Sequence, residues 1–136
     1  MNPITIHDYI ERLGNLLRKE FRLVGKQFGL QPVQLEALHY LSQCNRYSDT
    51  PMAVTEYLGQ TKGTVSQTLK VLEKKGYIRK LADNDDKRII HLKITREGRQ
   101  LISNNLPVPA FASATEKLDQ ASQSRIITSL QDLLHT

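Results

Sequence analysis

The sequence predicts a mainly α-helical fold carrying one small β-hairpin. Three observations point there: helix start and stop signals recur up to Gly76, the apolar period then changes from helical spacing to strict alternation, and helical spacing afterwards returns. A chain of 136 residues has the length of a single domain, enough to remove roughly 68 to 70% of its surface from water. Apolar residues at 39% and charged residues at 24% exclude a disordered tail or a fibrous repeat.

The first helix is read from Ile6, Ile10, Leu13, Leu17, Phe21, Val24 and Phe28, spaced by three or four and ended by Gly29. Leu16 and Leu23 widen its apolar face. Each large side chain is worth about 1.5 to 3 kcal/mol when fully buried, so a seam this long implies a partner surface. Pro32 suits the first turn of a second helix with Val33, Leu35, Leu38 and Leu41 inside, fading at Asn45 to Ser48. Asp49 or Thr50 before Pro51 caps a short third helix carrying Ala53, Val54, Tyr57 and Leu58. Gly59 and Gln60 break it, Thr61 caps a fourth helix, and Gly76 stops that one. Two short helices around a Gly-containing turn are the helix-turn-helix layout.

Beyond Gly76, Tyr77 to Leu81 leads through the polar turn Ala82 to Arg88 and returns as Ile89 to Ile94, with Ile90, Leu92 and Ile94 alternating on one face. This is the hairpin. Thr95 caps a fifth helix, which Pro107 and Pro109 should break or kink. A last helix from about Asp119 carries Ile126, Ile127, Leu130, Leu133 and Leu134 on one broad face. The expected organisation is one domain, 1–136, with a winged helix-turn-helix lobe over 32–95 and helical dimerisation segments over 1–31 and 96–136.

The net charge of +5 is unevenly placed. Residues 60–99 hold eleven Lys or Arg against five acids, whereas the remainder holds eight against nine. A confined excess of this kind is the footprint of a chain that meets phosphates. On a helical wheel Val65, Leu69 and Leu72 of the fourth helix face the core, and Gly63, Ser66, Gln67, Lys70 and Lys74 face away, with Lys62 and Thr64 at the N-terminal end. A helix of about 21 Å with amides, hydroxyls and ammonium groups on one face fits the DNA major groove. Gln67 suits bidentate pairing with adenine, and Lys70 and Lys74 suit phosphates. Gly63 costs roughly 0.5 to 1 kcal/mol of helix stability relative to Ala, so its exposed place points to close approach of backbone and ligand. In the hairpin tip, Asp86 can hold the Arg88 guanidinium in a fixed fork beside Lys87, leaving its outer edge free for a narrow minor groove.

The run from Thr61 to Gly98 resembles the MarR family of winged helix-turn-helix transcriptional regulators. The similarity rests on Leu72 to Ile78 (LEKKGYI), the tip pattern of Asp83, Asp86, Lys87 and Arg88, and the ending Leu92, Ile94, Thr95, Glu97, Gly98, all in family order. The resemblance implies a homodimer whose first and last two helices interlock, with two lobes on adjacent half-sites of a pseudo-palindrome. It also implies that Lys62, Thr64, Ser66, Gln67 and Lys70 read or hold the major groove, and that Arg88, oriented by Asp86, reaches the minor groove. Two departures stand out: the family often has Arg where this chain has Gln67, and its fifth helix is usually uninterrupted. Relatives commonly bind small aromatic or phenolic acids between the dimer arms and the winged lobes; Tyr9, Arg18, His39, Tyr40 and Tyr57 are polar or aromatic residues that could line such a space or equally serve as ordinary interface residues, so no ligand-binding residue is assigned.

Other chemistry is weakly signalled. His7, His39, His91 and His135 are scattered without metal-ligand spacing, and no phosphate loop, nucleophile elbow or dinucleotide fingerprint occurs. No enzyme, cofactor or metal is expected. The single Cys44 reads as a buried structural thiol compatible with a reducing cytoplasm. No apolar run approaches the roughly 18 residues of a membrane span, and the N-terminal stretch is no secretory leader, so a cytoplasmic location is expected. The leading expectation is a dimeric DNA-binding regulator that represses by occluding an operator and is released by an effector. The alternative is a winged-helix module for protein contact.

Overall fold

The computed structural model describes residues 4–107 and 109–135. It holds seven helices and a two-stranded antiparallel sheet among these residues, in the order α1 (Ile6–Phe28), α2 (Pro32–Gln43), α3 (Pro51–Leu58), α4 (Lys62–Lys74), β1 (Ile78–Ala82), β2 (Ile90–Ile94), α5 (Arg96–Asn105), α6 (Pro109–Glu116) and α7 (Gln120–Leu134). A first compact unit reaches to Asn104 and a second begins at Asn105.

The helix ends lie where local chemistry puts them. Thr5 and Asp8 form a reciprocal capping box on α1, which also holds the Asp8 carboxyl below its usual range through its bonds to Thr5. Gly29 and Gly59 close α1 and α3 in the left-handed region, at φ 66° and 63°. Thr50, not Asp49, caps α3, accepting from the Ala53 N–H, and Thr61 caps α4 through Thr64. The α5 helix ends at Asn105 ahead of Pro107, and Pro109 starts a further helix, α6, where the sequence predicts only a break or kink.

In the first unit α2 is the central element. Leu35, Ala37, Leu38 and Leu41 are all buried, and α2 packs on α1, α3, α4 and β2. The hairpin pairs Ile78 with Ile94 and Ala82 with Ile90, and Leu92 adds a backbone bond to the Asp49 carbonyl at 2.8 Å, joining the sheet to the segment between α2 and α3. Leu92 is buried, while Ile90 and Ile94 are only half-covered. Cys44, expected to be buried, is half-exposed at the end of α2; burial and the nearby Asp49 push its thiol pKa up, away from reactivity.

The end of α4, the base of the hairpin and the start of α5 are locked together. The Tyr77 N–H reaches back to the Leu72 carbonyl and the Gly76 N–H to Glu73, a Schellman closure with Gly76 at φ 81°. Thr95 donates its hydroxyl to the Gly76 carbonyl at 2.6 Å, donates its N–H to Tyr77 and accepts from the Gly98 N–H. A Cβ on Gly98 would stand 2.4 Å from the Tyr77 carbonyl oxygen, a backbone atom that cannot swing away. Gly98→Ala should therefore destabilise the fold by about 1 to 3 kcal/mol despite the better helix former, read as a lower urea midpoint at unchanged slope.

In the second unit, Asp119 caps α7 by accepting from the Ser122 N–H at 2.8 Å, and Gln123 ties the helices by donating to the carbonyls of Thr115 and Leu118. Ile126, Ile127, Leu130, Leu133 and Leu134 of α7 are exposed. No helix among the described residues is long and apolar enough to cross a membrane.

Candidate nucleic-acid interface

The fourth helix divides as its wheel predicts. Val65, Thr68, Leu69 and Leu72 are buried, and Lys62, Gly63, Thr64, Ser66, Gln67, Lys70 and Lys74 are exposed. Thirteen residues give an open face about 20 Å long. Thr64 shares a hydroxyl bond of 3.0 Å with the capping Thr61, so its side chain is the least free of the set. A Cβ added to Gly63 would meet nothing nearer than the Thr61 hydroxyl at 4.0 Å; no neighbour within the chain requires glycine there. Among the described residues no carboxylate lies within salt-bridge reach of Lys62, Lys70 or Lys74, whereas Lys80 on β1 stands 3.8 Å from Glu73.

Two of the three acids in the hairpin tip are turned inward. Asp83 accepts from the backbone N–H groups of Asp85 and Asp86, both at 3.0 Å, and Ile89 closes the loop onto Asp83 and Asp86. Asp86 takes the Arg88 guanidinium in a two-point fork, Nε at 3.0 Å and Nη2 at 2.9 Å, and also accepts from the Arg88 N–H. The fork raises the Arg88 pKa and lowers that of Asp86, so both stay charged, and the Arg88 side chain remains 90% exposed with its far edge open. Lys87 is exposed beside it.

The structure adds a cluster around His91 that the sequence does not predict. The His91 ring lies between two carboxylates, Nδ1 at 2.6 Å from Asp49 and Nε2 at 2.6 Å from Asp83, and Lys93 reaches the other oxygen of Asp49 at 2.9 Å. Hydrogen bonds to Asp49 and Asp83 raise the His91 pKa, and the His91 bond leads the causes that lower Asp83 to about 2. The available signal was the alternation along β2, which sets His91 and Lys93 together on the face opposite Leu92.

A family model described as MarR family matches residues 28–89, the span from the end of α1 through both helices of the turn to the wing tip. Over those residues the chain is similar to the MarR family. Among curated proteins it is 30% identical over 88 residues to the uncharacterized HTH-type transcriptional regulator YwaE of Bacillus subtilis, covering 61% of this chain and 52% of that one. It is 27% identical over 92 residues to the transcriptional repressor MprA of Escherichia coli, covering 68% and 52%. The chain thus spans about half the length of the curated relatives it matches. The fold matches that of Staphylococcus aureus MepR in its DNA-binding conformation, with a TM-score of 0.83 at 20% identity over 97% of this chain and 98% of that one.

Of the five aromatic and polar residues left open between an effector space and an interface, Tyr40 and Tyr57 come together, stacked at 4.5 Å between α2 and α3. The others have local partners: Tyr9 lies under Arg12, Arg18 donates to Asn15, and His39 meets the edge of Phe21. Burial lowers the His39 pKa and raises that of Tyr57.

Proposed function

We propose that this chain is a homodimeric, sequence-specific DNA-binding regulator that represses by occupying a pseudo-palindromic operator. The observation that carries the reading is the open α4 face with free ammonium groups, set beside an arginine pre-aimed by its own carboxylate. Lys62, Ser66, Gln67 and Lys70, with Gly63 and Thr64 at the approach, lie in the major groove; Lys74 and Lys87 meet phosphates; Arg88, held by Asp86, enters the minor groove. Repression needs only tight binding over a promoter, and the relative named as a repressor supports it. Such a regulator works in the cytoplasm. A small aromatic or phenolic effector releases DNA if it binds the DNA-incompetent arrangement of the two lobes more tightly.

A salt titration tests the reading. Duplex affinity should fall steeply and log-linearly as salt rises, because each neutralised phosphate sheds counterions. Lys74→Ala should weaken all sequences alike and reduce the magnitude of the salt slope by about one. Absent duplex binding, or affinity indifferent to salt, would instead identify a winged-helix module for protein contact.

A further inference from the structure

The His91 cluster joins three separate parts of the lobe. Asp49 belongs to the segment between α2 and α3, its side chain 3% exposed; His91 sits on β2, 15% exposed; Asp83 begins the wing tip, 27% exposed. Both ring nitrogens face carboxylate oxygens at 2.6 Å. A neutral imidazole has one donor and one acceptor nitrogen, and an ionised carboxylate only accepts, so a neutral ring would oppose a lone pair to one of the two. The imidazolium donates to both. Asp83 uses its other oxygen to fold the tip turn through Asp85 and Asp86, and Asp86 grips Arg88. Hydrogen bonds therefore run unbroken from the buried Asp49 to the exposed guanidinium.

Resting on the DNA-binding reading above, we propose that His91, as an imidazolium between Asp49 and Asp83, is a positioning residue that docks the wing tip on the α2–α3 segment and thereby aims Arg88, so that DNA affinity falls when His91 loses its proton. The charged groups around the ring are Asp49 from the α2–α3 segment, Asp83 from the tip and Lys93 from β2, with Arg46, Tyr47 and Asp85 lining the hollow beside it. The two carboxylates outweigh the single ammonium and favour the protonated ring, in keeping with its raised pKa. A raised histidine contributes fully below its unfolded value of about 6.5, and the contribution disappears as the pH climbs through the folded value. Asp83, lowered to about 2, works in the opposite sense: its contribution is full above about pH 4 and fades only toward pH 2. Docking is therefore intact through mildly acid pH and yields on the alkaline side. Asp49 is buried and keeps Lys93, so the contact that opens is the outer one, to Asp83.

The test is fluorescence anisotropy at constant ionic strength from pH 6 to 9, using a duplex with A·T-rich flanks and the full chain as parent, His91→Gln, Arg88→Ala and the double variant. The parent's affinity should drop about five- to tenfold across the range, the low end for coupled sites. His91→Gln should bind more weakly at pH 6 with a flat profile, and should have no further effect in the Arg88→Ala background. A pH dependence that survives in His91→Gln, or additive losses in the double variant, would overturn the proposal. Nuclear magnetic resonance on the unmodified chain gives a readout that needs neither DNA nor a folded variant. Amide shifts of Asp85, Asp86 and Arg88 that follow the His91 ring titration support the clamp, and amides indifferent to that titration refute it. Failure of the parent to bind duplex at any pH would remove the DNA reading alone, leaving the resonance titration to decide the clamp.

Discussion

The parent chain is expected to sediment as a dimer and a Leu17→Asp chain as a monomer. The α1 seam runs through Ile10, Leu13 and Leu17, with Leu16 and Leu23 beside it, and all five remain exposed in the single chain. Leu17 is the most covered of them, at 38% exposure, yet still presents over a third of its surface to water. An exposed apolar stripe of this length on a 23-residue helix is a cost unless another surface covers it. In a two-fold dimer the substitution falls on both sides of the contact, so each lost apolar contribution counts twice and two carboxylates are set against apolar surface. At about 1.5 to 3 kcal/mol for each leucine, the dimer dissociation constant should rise by a hundredfold or more. Circular dichroism of the variant should match the parent, because Leu17 lies outside the Leu35–Leu38–Leu72 core. An undiminished dimer would place the interface elsewhere.

Gln67→Ala should cost about 1 to 3 kcal/mol of affinity on the preferred operator and flatten discrimination at the base pair it contacts. The amide is exposed at mid-helix on the open face of α4, where it can offer a donor and an acceptor together to an adenine edge. The effect is read by selecting duplexes from a random pool with parent and variant. Loss of preference at one position in each half-site supports the assignment, and an unchanged consensus would move the reading role to Ser66 or Lys70. Because many family members carry arginine where this chain has Gln67, the parent's own consensus should favour adenine over guanine at that position.

Much of the fold was legible because its determinants are neighbours in the chain. Thr5, Thr50, Thr61 and Thr95 accept from backbone N–H groups three residues on, and Gly29, Gly59 and Gly76 supply the left-handed stops. The Asp86 grip on Arg88 spans two residues and could be read from the tip sequence for the same reason. The restart of helix at Pro109 carried a readable signal as well. Proline at the first helical position opens α2 and α3, and the same preorganisation opens α6. A proline after a helix signals a break and a restart alike, because both roles share one residue type.

The amino-acid order alone determined where helices begin and end, which face of α4 is polar, and how the tip holds its arginine, since each depends on groups within a few residues of one another. Only the tertiary structure decided that Asp49 meets His91 across 42 positions, that Gly98 must clear the Tyr77 carbonyl, and that the wing tip is moored to the α2–α3 segment. Such contacts require α2, α4 and the hairpin to pack in one particular way. Packing is selected by the summed burial of a whole core, so no local pattern around Asp49 or His91 announces the partner that the completed fold brings to it.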